Sequence, residues 1–184
     1  MNRPPVITVT LILALCGIYA LELEVGVSTV TTWAFVPAHP SLSTAAMSLF
    51  LHDPSDVWGH LGANLAFLAV FGVLVEGALG SLAFGTLYLA AGLAGVAAHW
   101  ALNLGSATPL LGASGALFGL LAVAAVLRPR TLGFIVPYVG FTVWQICTGT
   151  GGSISVAAHI GGFIVGAGVA VLARALNSEA LEAT

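Results

Sequence analysis

The chain has 184 residues, of which 59% are hydrophobic and only 6% are charged, and its mean hydropathy is +1.07. A water-soluble domain carries about 25% charged residues, so this chain lacks the polar surface that water requires, and we expect lipid to be its main solvent. The net charge is −3 and no lysine is present, which excludes the basic surface that nucleic-acid binding needs. Cys16 and Cys147 lie in separate apolar segments, which predicts two small buried side chains rather than a disulfide.

Six apolar segments follow one another along the chain, each near the roughly 20 residues that a bilayer core requires. They predict helices at about 6–22, 57–76, 81–102, 111–127, 131–148 and 155–173. The fifth segment is the least regular, because Gly133, Pro137, Gly140 and Gln145 interrupt it. The pattern predicts an all-α, polytopic membrane protein with a single domain over residues 1–184. The first segment follows Arg3 like a signal peptide, but it ends in "YALELE" without a small-residue cleavage site, which favours an uncleaved helix.

The longest connection, residues 23–56, joins the first two predicted helices. It contains prolines and acidic residues and is too polar to cross lipid. It also contains Trp33, Phe35 and the apolar run 47–51, so we expect part of it to lie in the membrane interface. The sequence therefore predicts a long outer loop between helices one and two.

The basic residues predict the orientation of the chain. With six crossings, all four arginines fall on one side of the membrane: Arg3, Arg128, Arg130 and Arg174. The positive-inside rule makes that side cytoplasmic. We therefore expect an integral, multi-pass protein of the cell (inner) membrane, with both termini in the cytoplasm and the 23–56 loop outside.

Polar side chains inside a membrane are costly and are functional candidates by default. The depth of each side chain is given by its distance along the helix from a charged residue at the inner end of the segment. At 1.5 Å per residue, this distance is about 21 Å for Ser114, about 22 Å for His159 and about 24 Å for His60. Asn64 is one turn below His60 on the same helix face. These four side chains are therefore expected at similar depth, whereas Glu76 lies at the inner end, where we expect it to cap or pair.

Small residues recur at every fourth position in two of the segments. The sixth segment has Ala158, Gly162 and Gly166, and the fourth has Gly115 and Gly119. Such stripes permit close approach of helix backbones in lipid. If the two stripes face each other, Ser114 and His159 come within hydrogen-bond distance.

This set of residues fits acyl transfer. A serine hydroxyl becomes a nucleophile when a base takes its proton, and His159 is the candidate base for Ser114. The reaction creates an oxyanion that needs fixed donors, which the Asn64 amide, the His60 ring and the backbone N–H of Ser114 would supply. No carboxylate is expected at this depth, so the prediction is a Ser–His dyad without a third acid.

Three motifs carry a resemblance to a known family. They are "GASG" at 112–115, "HLGAN" at 60–64 and "AHIGGFIVG" at 158–166, and "EGALG" at 76–80 is a further similar segment. The chain resembles the rhomboid intramembrane serine proteases, whose patterns are GxSG, HxxxN and AHxxGxxxG, over about residues 6–174. Two departures are present. Phe118 stands where many relatives have a tyrosine, and the outer loop lacks the Trp-Arg pair common in the family.

The resemblance implies a function and a set of site residues. Ser114 is the expected nucleophile, His159 the general base, and His60 and Asn64 the partners of the Ser114 N–H in the oxyanion hole. The expected supporting residues are Gly112, Gly115, Phe118, Gly162 and Gly166. The expected partners are the lipid bilayer and transmembrane protein substrates, cleaved in or near a membrane helix, and neither a cofactor nor a metal is expected.

Two other functions are compatible with the sequence. One is a catalytically inactive relative that binds membrane proteins, although intact Ser114 and His159 disfavour it. The other is a membrane metal or proton transporter that uses His60, His99 and His159 as ligands. No inverted repeat of the transporter type is apparent, and we expect His99 to be structural. His39 and His52, in the outer loop, are expected to be solvated.

Overall fold

The computed structural model describes residues 4–55, 57–148 and 155–182, and the described elements are helices. In chain order they are α1 (Val6–Val25), α2 (Val27–Trp33), α3 (Leu42–Ser48), α4 (Ala63–Phe67), α5 (Val73–Leu79), α6 (Ser81–Leu102), α7 (Ser114–Leu127), α8 (Leu132–Thr148) and α9 (Val156–Glu182). Two π-helical stretches, Val57–Gly62 and Leu68–Gly72, join α4 and α5 into one continuous helix over residues 57–79. Each of the six predicted segments therefore contains a helix.

Four of these helices are long and apolar enough to cross a bilayer. They are Val6–Val25, Gly59–Leu79, Ser81–Leu102 and Val156–Ala175. The other two predicted segments form shorter helices, of 14 residues in α7 and 17 residues in α8. Helix α9 continues to Glu182, beyond the predicted end at 173.

The fourth segment begins later than predicted, at Ser114 rather than at residue 111. The preceding residues 110–112 are not helical, because their backbone groups bond to the predicted outer loop, residues 23–56, which we call the outer connection. Leu110 pairs with Phe35 through hydrogen bonds of 3.1 and 2.7 Å, and the Gly112 N–H donates to the carbonyl of Ser48 at 2.8 Å. Gly112 also has φ +120°, which an α-helix does not allow. Ser114 consequently starts the helix instead of lying inside it.

Helix α7 is the centre of the bundle, and all its residues from Gly115 to Ala124 are buried. It packs on α9 through the two predicted glycine stripes. A Cβ atom added to Gly162 would collide with the carbonyl oxygen of Gly115, and one added to Gly166 would collide with that of Gly119. The stripes face each other, so the backbones of the two helices are in direct contact.

Glu76 hydrogen-bonds the 57–79 helix to the start of α1, in agreement with its expected capping role. Its carboxylate accepts the backbone N–H groups of Ile7 and Thr8 at 2.9 and 2.8 Å, at the start of α1. The hydroxyls of Thr8 and Ser81 also donate to it, at 2.7 and 2.6 Å. These bonds satisfy N–H groups that have no acceptor within their own helix.

The run 47–51 contributes Leu49 and Leu51 to the buried core, because the 23–56 connection folds back over α6 and residues 110–111, whereas Trp33 and Met47 of the same connection are exposed. The expectation that part of this connection lies in the membrane interface stays a prediction. Two other expectations about exposure are wrong. His52 is fully buried rather than solvated, whereas His39 is exposed as predicted. Cys16 and Cys147 are exposed, because they lie on helix faces directed away from the core.

Candidate active site

Ser114 and His159 come into contact where two helices begin. The Ser114 Oγ lies 2.9 Å from the His159 Nε2. Ser114 is the first residue of α7, and His159 lies in the first turn of α9. The glycine contacts bring the two helix axes close enough for a short serine side chain to reach the imidazole. Because Ser114 is the first residue of its helix, its backbone N–H has no acceptor within the helix.

The imidazole of His159 is held against an aromatic ring. The Phe118 ring is stacked on it, with 4.0 Å between ring centroids and 7° between planes. Phe118 lies one helical turn after Ser114, so α7 carries both the hydroxyl and the ring that contact His159. The stacking fixes the plane of the imidazole, although phenylalanine has no hydroxyl that could donate a hydrogen bond.

His60 lies directly over the backbone that precedes Ser114. A Cβ atom added to Gly112 would lie 2.5 Å from the His60 Nε2, so any larger residue there would displace this ring. The positive φ of Gly112 also favours glycine at this position. Two independent constraints therefore account for the first glycine of the "GASG" motif.

Asn64 is buried, 4% exposed, one turn after His60. The structure gathers Ser114, His159, His60 and Asn64 around one cavity of ≈ 660 Å³, together with Gly112 and Gly115. Phe118, Gly162 and Gly166 do not line this cavity and act from behind it, through stacking and helix packing. The predicted site residues thus divide into a cavity-lining group and a supporting group.

Sequence reasoning missed two buried polar residues next to this cavity. His52 has its Nε2 2.9 Å from the Asn64 Nδ2, and its backbone N–H donates to the Glu22 Oε1 at 2.9 Å. Burial, together with the charge of nearby His60, lowers the pKa of His52 to about 3 from 6.5. The sequence carried one signal for the pair, because Glu22 is an acidic residue near the end of an apolar helix.

One side of the cavity is formed by α8, which is loosely attached to the bundle. Tyr138 contacts Phe67 and Phe118, with ring centroids 5.1 and 6.2 Å apart. Most other large side chains of α8 are exposed, including Phe134 at 76% and Trp144 at 54%. Pro137 lies inside this helix, where its nitrogen has no hydrogen to donate to the preceding turn.

His99 lies outside the cavity, in agreement with a structural role. Its Nδ1 is 2.7 Å from the Ser155 Oγ, which also accepts the Ala158 N–H at 3.1 Å and so caps α9. No group of three or more His, Cys, Asp or Glu side chains within the described ranges has the geometry of a metal site. Because His99 is held by Ser155, the three-histidine ligand set of the transporter hypothesis is not assembled.

Apolar helices of membrane-spanning length around a shared buried core define an integral membrane protein. The family model described as "Rhomboid domain" matches residues 39–175, well over half of the chain. The chain belongs to the rhomboid family.

Two curated relatives agree with this assignment. The chain is 34% identical to "Rhomboid protein 1, mitochondrial" of Saccharomyces cerevisiae over an aligned length of 135 residues, and the alignment covers 65% of this chain and 38% of that protein. It is 39% identical to "Rhomboid-like protein 11, chloroplastic" of Arabidopsis thaliana over 71 residues, which are 39% of this chain and 25% of that protein. The matches thus cover less than half the length of either relative.

Proposed function

We propose that this protein is an intramembrane serine endopeptidase that cleaves transmembrane segments of other membrane proteins with a Ser114–His159 dyad. The observation that carries the proposal is the 2.9 Å contact between the Ser114 Oγ and the His159 Nε2. A hydroxyl and an imidazole at this distance are placed for proton transfer, which is what converts serine into a nucleophile.

The reaction needs both residues twice. His159 accepts the hydroxyl proton while the Ser114 Oγ attacks the carbonyl carbon of the scissile peptide bond. The tetrahedral intermediate collapses when the C–N bond breaks, and His159 gives its proton to the departing amine. His159 then deprotonates a water molecule, which attacks the carbonyl carbon of the acyl-enzyme ester. The bond between this carbon and the Ser114 Oγ breaks, and His159 returns the proton to the Ser114 Oγ.

The oxyanion formed in each half of the reaction needs donors that are already in place. The backbone N–H of Ser114, the His60 ring and the Asn64 amide are proposed to supply them. The site lies on rigid elements, because α7 starts at Ser114 and is buried along most of its length. A preorganised site of this kind needs no rearrangement when the negative charge develops.

We propose six membrane crossings, with both ends of the described chain on the cytoplasmic side of the cell membrane. At 1.5 Å per residue α7 is about 21 Å long, shorter than the bilayer core of about 30 Å. The non-helical residues 110–112 complete this crossing. Their backbone is hydrogen-bonded to Phe35 and Ser48 and lines the cavity, the condition under which non-helical backbone is tolerated at membrane depth.

Hydrolysis consumes water, and the hydrocarbon core supplies none. The cavity of ≈ 660 Å³ beside Ser114 is proposed to hold that water. The outer connection covers the cavity and α8 forms one wall of it. The loose packing of α8 makes this helix the proposed point of entry for a substrate helix.

The test is labelling with a serine-directed fluorophosphonate, together with cleavage of a panel of tagged single-span membrane proteins. Wild-type protein should be labelled at Ser114 and should cleave members of the panel. Ser114→Ala and His159→Ala should abolish cleavage and leave detergent stability nearly unchanged. Cleavage by purified Ser114→Ala protein would refute the dyad. An intact wild-type protein that is never labelled would favour the inactive binding protein or the transporter.

A further inference from the structure

His52 touches both side chains proposed as oxyanion donors. Its Nε2 lies 2.9 Å from the Asn64 Nδ2, and its ring meets the His60 ring edge-on, with 5.0 Å between centroids. His52 is fully buried and precedes the 57–79 helix that carries His60 and Asn64. It therefore lies behind the cavity, where it can affect its neighbours but not contact the substrate.

The contact with His52 determines how the Asn64 amide is oriented. An asparagine amide carries two N–H bonds. When one is donated to the Nε2 lone pair of His52, the amide plane is fixed and the second N–H has a set direction. This arrangement requires a neutral His52 with its proton on Nδ1. Burial favours the neutral form, in agreement with its pKa of about 3.

Glu22 holds His52 in turn. This carboxylate of α1 is 1% exposed, and its Oε1 accepts the backbone N–H of His52 at 2.9 Å. Within the described part of the chain, Glu22 Oε2 and His52 Nδ1 are buried without a hydrogen-bond partner. His52 Nδ1 is the atom that carries the proton in the neutral tautomer described above.

We propose that Glu22 and His52 are positioning residues that hold the Asn64 amide in the oxyanion hole, an inference that rests on the function proposed above. Glu22 fixes the backbone of His52, and the His52 ring fixes the amide. Through these two bonds the first helix sets the geometry of a donor on the second.

Two pairs of variants separate hydrogen bonding from packing. His52→Leu removes the acceptor for the Asn64 amide, whereas His52→Gln keeps an acceptor on a side chain of similar reach. Glu22→Ala removes the acceptor for the His52 N–H, whereas Glu22→Gln keeps one. The matched controls are His39→Leu and Glu24→Ala, at exposed positions of the same connection and the same helix.

The readout is steady-state cleavage, resolved into kcat and KM, with thermal unfolding in detergent measured in parallel. We expect His52→Leu and Glu22→Ala to lower kcat by at least about tenfold, and by no more than the 10²–10³ typical for loss of a donor. KM should change little. The Gln variants should recover most of the rate, and the controls should match wild type.

A double-mutant cycle with Asn64→Ala decides whether His52 acts through Asn64. In the Asn64→Ala background, His52→Leu should cause little further loss of kcat. An equal loss in both backgrounds, or a His52→Leu rate equal to wild type, would overturn the inference. If His52→Leu does not fold, Glu22→Ala serves in the same cycle. These outcomes presuppose Ser114-dependent cleavage by wild type, so failure of the proposed function itself is recognised separately.

Discussion

The Phe118 ring is stacked on the His159 imidazole, with 4.0 Å between ring centroids and 7° between planes, and Phe118 stands where many rhomboids carry a tyrosine. The contact restricts the imidazole to the plane in which its Nε2 faces the Ser114 Oγ. Stacking alone supports the histidine here, because the phenylalanine ring has no donor. The orientation of the proposed base therefore depends on the flat face of residue 118.

This dependence is tested by changing the shape of residue 118. Phe118→Leu keeps an apolar side chain but removes the flat face, and we expect kcat to fall by up to about tenfold, in line with the energy of an aromatic contact. Phe118→Tyr keeps the ring and should retain at least the wild-type rate. Cleavage kinetics with one membrane substrate measure both. A Phe118→Leu rate equal to wild type would show that stacking does not orient His159.

The oxyanion donors should behave differently from the dyad. Asn64→Ala and His60→Ala each remove one donor and leave others, so we expect cleavage to fall by about 10²–10³ and to stay measurable. Ser114→Ala removes the covalent route and should show no cleavage. The Asn64→Ala protein should still react with a fluorophosphonate at Ser114, more slowly than wild type. If Asn64→Ala cleaves at the wild-type single-turnover rate, Asn64 is a packing residue only.

The glycine contact between α7 and α9 offers a matched pair of substitutions on one helix. A Cβ atom at Gly162 would collide with the Gly115 carbonyl, whereas one at Gly168 would meet no atom within 4 Å. We expect Gly162→Ala to lower the free energy of unfolding by about 1–3 kcal/mol, because backbone atoms cannot move aside as a side chain can. Gly168→Ala should have little effect. Thermal unfolding in detergent measures both, and equal melting temperatures would contradict the contact.

The sequence predicted the helical segments better than it predicted the local backbone. Each predicted segment contains a helix, four of the helices are long and apolar enough to cross a bilayer, and four-residue spacing identified the glycine stripes that face each other. The sequence did not locate the start of α7, because the bonds that keep residues 110–112 out of the helix come from Phe35 and Ser48, which are far away in sequence.

The burial of His52 also could not be predicted from the local sequence pattern. An apolar run precedes it at 47–51 and Asp53 and Pro54 follow it, so the local sequence does not decide its burial. Only the fold brings Glu22 and Asn64 to it. Composition around a residue reports the average environment of its segment, whereas a hydrogen-bonded network is assembled from separate segments. Glu22 was the one member that the sequence could have identified, as an acidic residue in an apolar helix.

The orientation of the protein is tested by chemical labelling of single cysteines. Ser43 lies on the outer connection and Arg130 between α7 and α8, and both are exposed. In intact cells an impermeant thiol reagent should label Ser43→Cys and should not label Arg130→Cys. Because Cys16 and Cys147 are themselves exposed, both must be replaced first. The opposite labelling pattern would place the cavity on the cytoplasmic side.

Substrate entry beside α8 makes a prediction that distinguishes large from small substrates. Phe67 and Tyr138 link the 57–79 helix to α8, with ring centroids 5.1 Å apart. In a background without Cys16 and Cys147, a short cleavable cross-linker between Phe67→Cys and Tyr138→Cys should hold the two helices together. A transmembrane substrate must pass between them, whereas a small fluorophosphonate reaches Ser114 through the cavity. Cross-linking should therefore slow cleavage of a membrane substrate much more than labelling of Ser114.

The same double variant without cross-linker is the control for the loss of the two aromatic rings, and cleaving the cross-linker should restore the rate of this control. Equal slowing of both reactions would show that α8 does not control substrate entry.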